Sequence, residues 1–126
     1  MADIIIDGDI SNGAVLNGTT MKVSNGFAFK TTVNANGALR LYNRGSSSET
    51  TVNYNGFLII SSGGKAIRNT LNIQGVCYVS NGGSAVDTTI NEGGDLLIFD
   101  GGIARDTTVG IWGRSGLKQA ASTPES

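Results

Sequence analysis

The chain has 126 residues, with 9 basic and 10 acidic side chains and a formal net charge of −1. That balance leaves no electrostatic footprint for nucleic acid or an anionic membrane. Nineteen glycines against one proline, 6% aromatics, no histidine and one cysteine describe a single domain of short strands and tight turns. They exclude an intrachain disulfide, a Cys/His metal site and a histidine-assisted nucleophile.

Residues 1–17 place Asp3, Asp7 and Asp9 around Ile4, Ile5 and Ile6. We read this stretch as an irregular N-terminal rung or cap, apolar inward and acidic outward, that blunts a strand edge. The isoleucine run is too short for the apolar core of a signal peptide, and no run approaches a membrane-spanning helix. Val15 to Gly18 is one residue shorter than Val33 to Gly37, so the first turn departs from the spacing of the later ones.

Residues 18–113 repeat. Glycines recur every nineteen residues in two columns, Gly26–Gly45–Gly64–Gly83–Gly102 and Gly18–Gly37–Gly56–Gly75–Gly94–Gly113. A fixed period in this range marks a solenoid or array. Val33, Val52, Leu71, Ile90 and Val109 share one phase. Leu39, Leu58, Cys77 and Leu96 share another, followed two residues later by Leu41, Ile60, Val79 and Ile98. Period-2 apolar segments between Gly/Asn turns argue strands, and no window sustains a helical spacing. The reading is an all-β, single-stranded parallel β-helix (β-solenoid) of about five to six rungs, stacked about 4.8 Å apart.

Stacking turns columns into ladders. Thr32, Thr51, Thr70, Thr89 and Thr108 form one; Asn34, Asn53, Asn72 and Asn91 form a second, in which side-chain amides can bond from rung to rung. Lys30, Glu49, Arg68 and Asp87 alternate in sign as facing cross-strand neighbours do, and Asp106 breaks the alternation. Phe29, Ile67 and Val86 share a column that we expect to extend the core, interrupted by Ser48 and Arg105. Cys77 reads as a small buried hydrophobe in a leucine column. Ile111 and Trp112 are expected to fold over the last rung, and 114–126 to form a tail or linker.

The unit GG-x-A-x-x-T-T-[VIL]-N-x-x-G, best kept from Gly82 to Asn91 and from Gly101 to Val109, resembles the strand-loop-strand repeat of AIDA-type autotransporter passengers, a family of self-associating bacterial adhesins. The resemblance covers residues 18–113. It implies a right-handed parallel β-helix at the bacterial cell surface or secreted, a non-enzymatic role in adhesion, autoaggregation or biofilm formation, and modification of hydroxyls by a dedicated heptosyltransferase. The nearest matches to such acceptors are Ser61, Ser62, Ser80 and Ser84, in the S-[SN]-G-G turns. Partners are then another copy, a host or neighbouring cell surface, and a glycosyltransferase. An uncovered solenoid end adds end-to-end stacking of two chains.

Other chemistries are weaker. Asp87 and Asp106 sit one rung apart, near the carboxylate separation of roughly 5–5.5 Å in retaining glycosidases, which leaves a carbohydrate-active β-helix as an alternative. Glu92-Gly93-Gly94-Asp95 and Asp100-Gly101-Gly102 lack the nine-residue period of a calcium β-roll. No phosphate-cradling loop is present and no cofactor or metal is implied. An ice-binding solenoid would offer outward T-x-T pairs, whereas the threonines here are adjacent, so one of each pair faces inward.

Overall fold

A computed structural model of the protein describes residues 4–109. Ile111, Trp112, Gly113 and the 114–126 segment lie outside them. All pairings among the described strands are parallel and no helix occurs there. The chain coils through three faces per turn. The first face stacks six strands, Ile4–Asp7, Thr20–Ser24, Ala38–Tyr42, Phe57–Ile60, Val76–Val79 and Asp95–Ile98. The second stacks Ile10–Asn12, Phe27–Phe29, Ser46–Ser48, the first halves of Lys65–Leu71 and Ser84–Ile90, and Ile103–Arg105. The third stacks Val15–Leu16, Thr32–Val33, Thr51–Val52, the second halves of those two long strands, and Thr108–Val109. Six rungs result, and they form a β-solenoid.

The step between rungs is nineteen residues from the third rung onward: Leu39 faces Leu58, Leu58 faces Cys77, and Cys77 faces Leu96. Ile4 faces Met21, seventeen residues on, and Met21 faces Leu39, eighteen on. These shorter steps overturn the placement of Gly18 in the Gly37 column. Thr19 occupies that place, because its carbonyl accepts the Ala38 N–H as the Gly37 carbonyl accepts that of Phe57. Gly18 lies at the preceding corner, where its φ of 69° matches the 64° of Asn36.

The glycine columns answer to crowding between rungs. A Cβ on Gly83 would stand 2.6 Å from the Ile60 carbonyl oxygen, and one on Gly56 2.6 Å from that of Val33. Both glycines have ordinary negative-φ backbone, so the constraint is close approach.

The core is a narrow aliphatic column. The first face contributes Met21, Leu39, Leu58, Cys77 and Leu96 and, two residues on, Val23, Leu41, Ile60, Val79 and Ile98; the third contributes Leu16, Val33, Val52, Leu71 and Ile90. The second face turns in only small residues, Ala28, Ser47, Ala66, Ala85 and Ala104. Phe29, Ile67 and Val86 do not extend this core. They lie half-buried on the outer surface, next to inward Ala28, Ala66 and Ala85. Counting back by twos from Leu71 puts Ile67 inside. The corner at Arg68 breaks that count, because Ile67 and Arg68 both face out before Asn69 turns in.

Thr31, Thr50, Asn69 and Thr88 are buried just past this corner. Asn69 Nδ2 donates to the Ala66 carbonyl at 3.3 Å and to Thr88 Oγ1 at 3.2 Å. Thr31 Oγ1, Ser47 Oγ, Thr50 Oγ1 and Asn69 Oδ1 have no protein hydrogen-bond partner.

At the corner between the third and first faces, asparagine amides bond along the axis. Asn53 Nδ2 donates to Asn34 Oδ1 at 2.9 Å, Asn72 to Asn53 at 2.8 Å and Asn91 to Asn72 at 2.8 Å. Asn53→Ala removes two of these three bonds and strands a donor and an acceptor. It should destabilise the solenoid by about 1–3 kcal/mol, read as a lower urea midpoint with little change in slope; an unchanged midpoint would show that the amide chain contributes nothing net.

Candidate functional site: turns, ladder and charged corner

The three corners of the solenoid differ chemically. Between the first and second faces lie the S-[SN]-G-G turns. Ser61 and Ser80 occupy one column on successive rungs, and both are half-buried. Ser80 Oγ donates to the Ile60 carbonyl at 3.5 Å, a long contact. Ser62 is exposed, with φ at 38°. Ser84 opens the second face half-buried, between Lys65 and Ile103 on the neighbouring rungs. Three of the four serines thus share one corner and the fourth adjoins it. A shallow hollow of about 390 Å³ there is lined by Lys22, Arg40, Tyr42, Asn43, Ser61 and Ser62.

Between the second and third faces stands the charged column. Lys30, Glu49, Arg68, Asp87 and Asp106 are not pleated cross-strand neighbours. Each sits at the corner in left-handed backbone, with φ of 57°, 60°, 59°, 58° and 56°. Such a conformation costs roughly 1–2 kcal/mol for a residue with a Cβ, asparagine and aspartate least. The other two corners largely place glycine or asparagine in it, as at Asn36, Asn55, Gly63, Gly82 and Gly93. Here only the first rung does so, at Gly13. Arg68 Nη1 lies 3.9 Å from Glu49 Oε2, both well exposed, and Lys30 Nζ stands 5.3 Å over the Phe29 ring.

Thr32, Thr51, Thr70, Thr89 and Thr108 stand directly above one another beside this column. Their inward neighbours Thr31, Thr50 and Thr88 are buried. Charged column and outward threonines together line an open groove. One end holds Lys30, Thr32, Glu49 and Thr51; the other holds Asp87, Thr89, Asp106 and Thr108; Arg68 and Thr70 lie between. Asp87 and Asp106 therefore face solvent on adjacent rungs. The shared corner conformation was the feature sequence reasoning missed, although its signal was present as a charged residue two places before the outward threonine in every copy.

A diagonal aromatic stack runs from the outer surface of the first face to the serine corner: Phe57 and Tyr78 centroids lie 6.2 Å apart, and Tyr78 lies 6.0 Å from Phe99, which holds the corner place of Ser61 and Ser80 one rung on. Among the described residues, no three Cys, Asp or Glu side chains converge as metal ligands.

No protein-family profile matches the chain and no curated protein matches it. Among solved structures, the chain is similar over 98% of its length to the crystal structure of a TibC-catalysed hyper-glycosylated TibA55-350 fragment, with 30% sequence identity and a TM-score of 0.80. That neighbour is a glycosylated adhesin passenger fragment of the AIDA-like kind. The likeness to this fragment fits the AIDA-type repeat that the sequence resembles. The chain spans 48% of the TibA fragment.

Cys77 lies fully inside the aliphatic core, and desolvation pushes its thiol far above the usual range. The thiolate is the reactive species. Native protein at about pH 8 should resist a thiol-reactive dye that labels the urea-unfolded chain within minutes; rapid labelling of the native state would contradict this burial.

Proposed function

We propose that this protein is a non-enzymatic adhesin passenger module, secreted or held at a bacterial cell surface, that acts in adhesion or self-association. Residues 18–113 provide the repeats, with 1–17 as the leading rung or cap and 114–126 as a tail. A rigid parallel stack presents the same corner chemistry every rung, which suits many weak contacts made together rather than one pocket. The observation that carries this reading is the likeness, in both fold and sequence, to a hyper-glycosylated adhesin fragment.

We further propose that Ser61, Ser62, Ser80 and Ser84 accept sugar from a glycosyltransferase. Ser62 is the most open of the four. Ser61 and Ser80 follow at the same corner one rung apart. Sugars added there would project from the edge of the solenoid without disturbing the buried column.

Co-expression with TibC should add sugar-sized mass increments to the intact protein, and peptide mapping should place them on these serines. Their combined replacement by alanine should remove most of the added mass. An unmodified protein, or modification confined to other residues, would refute the assignment. Cells displaying the module should flocculate, against none with a scrambled-repeat control; equal behaviour would remove the adhesive role.

A further inference from the structure

We propose that aromatic seats bracket the serine corner and hold the sugars carried by Ser61 and Ser80 against the protein surface. The inference rests on the acceptor reading above and adds where those sugars lie.

The corner column runs Ser24, Tyr42, Ser61, Ser80, Phe99 on successive rungs. Ser24 pairs with Tyr42. The N–H groups of Ser61, Ser80 and Phe99 donate to the carbonyls of Leu41, Ile60 and Val79, each the residue before the corner one rung down. The two serines are therefore neighbours with a ring below and a ring above. On the lower side, Tyr42 lines the hollow of about 390 Å³ that it shares with Ser61, Ser62, Lys22, Arg40 and Asn43. On the upper side, Ser80 sits in the angle between two rings. Tyr78 precedes it by two residues on the same outer surface, and Phe99 stands directly above it. The Tyr78 and Phe99 rings lie 6.0 Å apart and 17° from parallel, and Phe57 continues the series at 6.2 Å and 14°. A group added to Ser80 Oγ leaves the chain beside both rings.

This surface is apolar where it faces water. Ile59, Val76 and Leu97 lie half-buried among the rings, and Phe99 is 44% exposed. On the two preceding rungs, Lys22 and Arg40 hold the place of Ile59. An exposed apolar patch on one part of an otherwise regular surface marks a contact. A pyranose matches it chemically. Its C–H face packs on the negative face of an aromatic ring, and its hydroxyls stay in water or meet the donors of Arg40 and Asn43. Attachment beside the rings makes the contact intramolecular, so a weak interaction suffices. Transfer from a nucleotide-activated donor forms the bond from serine Oγ to the anomeric carbon. It breaks that carbon's bond to the donor phosphate, which leaves with the electron pair, and the serine proton is released. The seated sugar then covers the apolar face, so modified and unmodified modules present different surfaces.

NMR of the full chain co-expressed with TibC, carrying Ser62→Ala and Ser84→Ala to isolate the bracketed pair, tests this. Ring currents move protons held over an aromatic face upfield. Sugar C–H signals of the folded glycoprotein should lie upfield of their positions in the urea-unfolded one. Phe99→Ala should return the Ser80 sugar to the unfolded positions and leave the Ser61 sugar shifted; Tyr42→Ala should do the reverse. Phe99→Tyr, which keeps a ring, should keep the shift. Should an alanine variant fail to fold, Phe99→Leu and Tyr42→Leu, which keep bulk without a ring, decide the same point. Sugar signals that hold their unfolded positions in the folded glycoprotein would overturn the seats, leaving the acceptor assignment standing and the aromatic face to another occupant. Folded protein in which both Ser61 and Ser80 stay unmodified would overturn the seats and the assignment of these two acceptors together.

Discussion

The structure depends on the hydrogen bonding of each rung to the next in parallel register. A strand of two to seven residues has little stability of its own. Here every strand has a neighbour above or below, and interior ones have both. Because the coil returns to the same place after each turn, the fit between rungs is repeated and so are its demands. The glycines at positions such as 56 and 83 are one consequence. There the backbone of one rung passes so close to a carbonyl of the previous rung that a methyl group would collide with it.

The same repetition lets side chains act as continuous lines. Inside, aliphatic residues on the first and third faces meet the small residues of the second, which keeps the cross-section narrow. At one corner, asparagine amides donate along the axis from rung to rung. A buried polar line of Thr31, Thr50, Asn69 and Thr88 runs just inside another corner. Four of the oxygens on that polar line and beside it lack protein partners, a desolvation cost for which the fold shows no compensating contact.

Functionally, the three corners are separate surfaces on one scaffold. The serine turns carry hydroxyls. The asparagine corner is occupied with its own amide chain. The third holds charges in left-handed backbone beside outward threonines. The buried cysteine has neither accessibility nor a lowered thiol pKa, and the Asp87–Asp106 pair lies in an open groove.

Much of this was legible from the amino acids alone. Constant spacing of glycine, threonine and asparagine defined the stacked unit, because identical neighbours at a fixed interval satisfy the same contacts again and again. The early rungs were not readable that way: seventeen- and eighteen-residue steps shift Gly18 off the glycine column, and only the pairing shows where the chain has closed up. Face assignment failed at Phe29, Ile67 and Val86 for a related reason. Alternation holds only while the strand stays pleated, and a left-handed residue spends one position turning the corner. Composition and period determined that this chain stacks on itself; the tertiary structure decided which side chains look outward at each bend, since that depends on the left-handed backbone torsion at the corner, which alternation of apolar and polar residues does not encode.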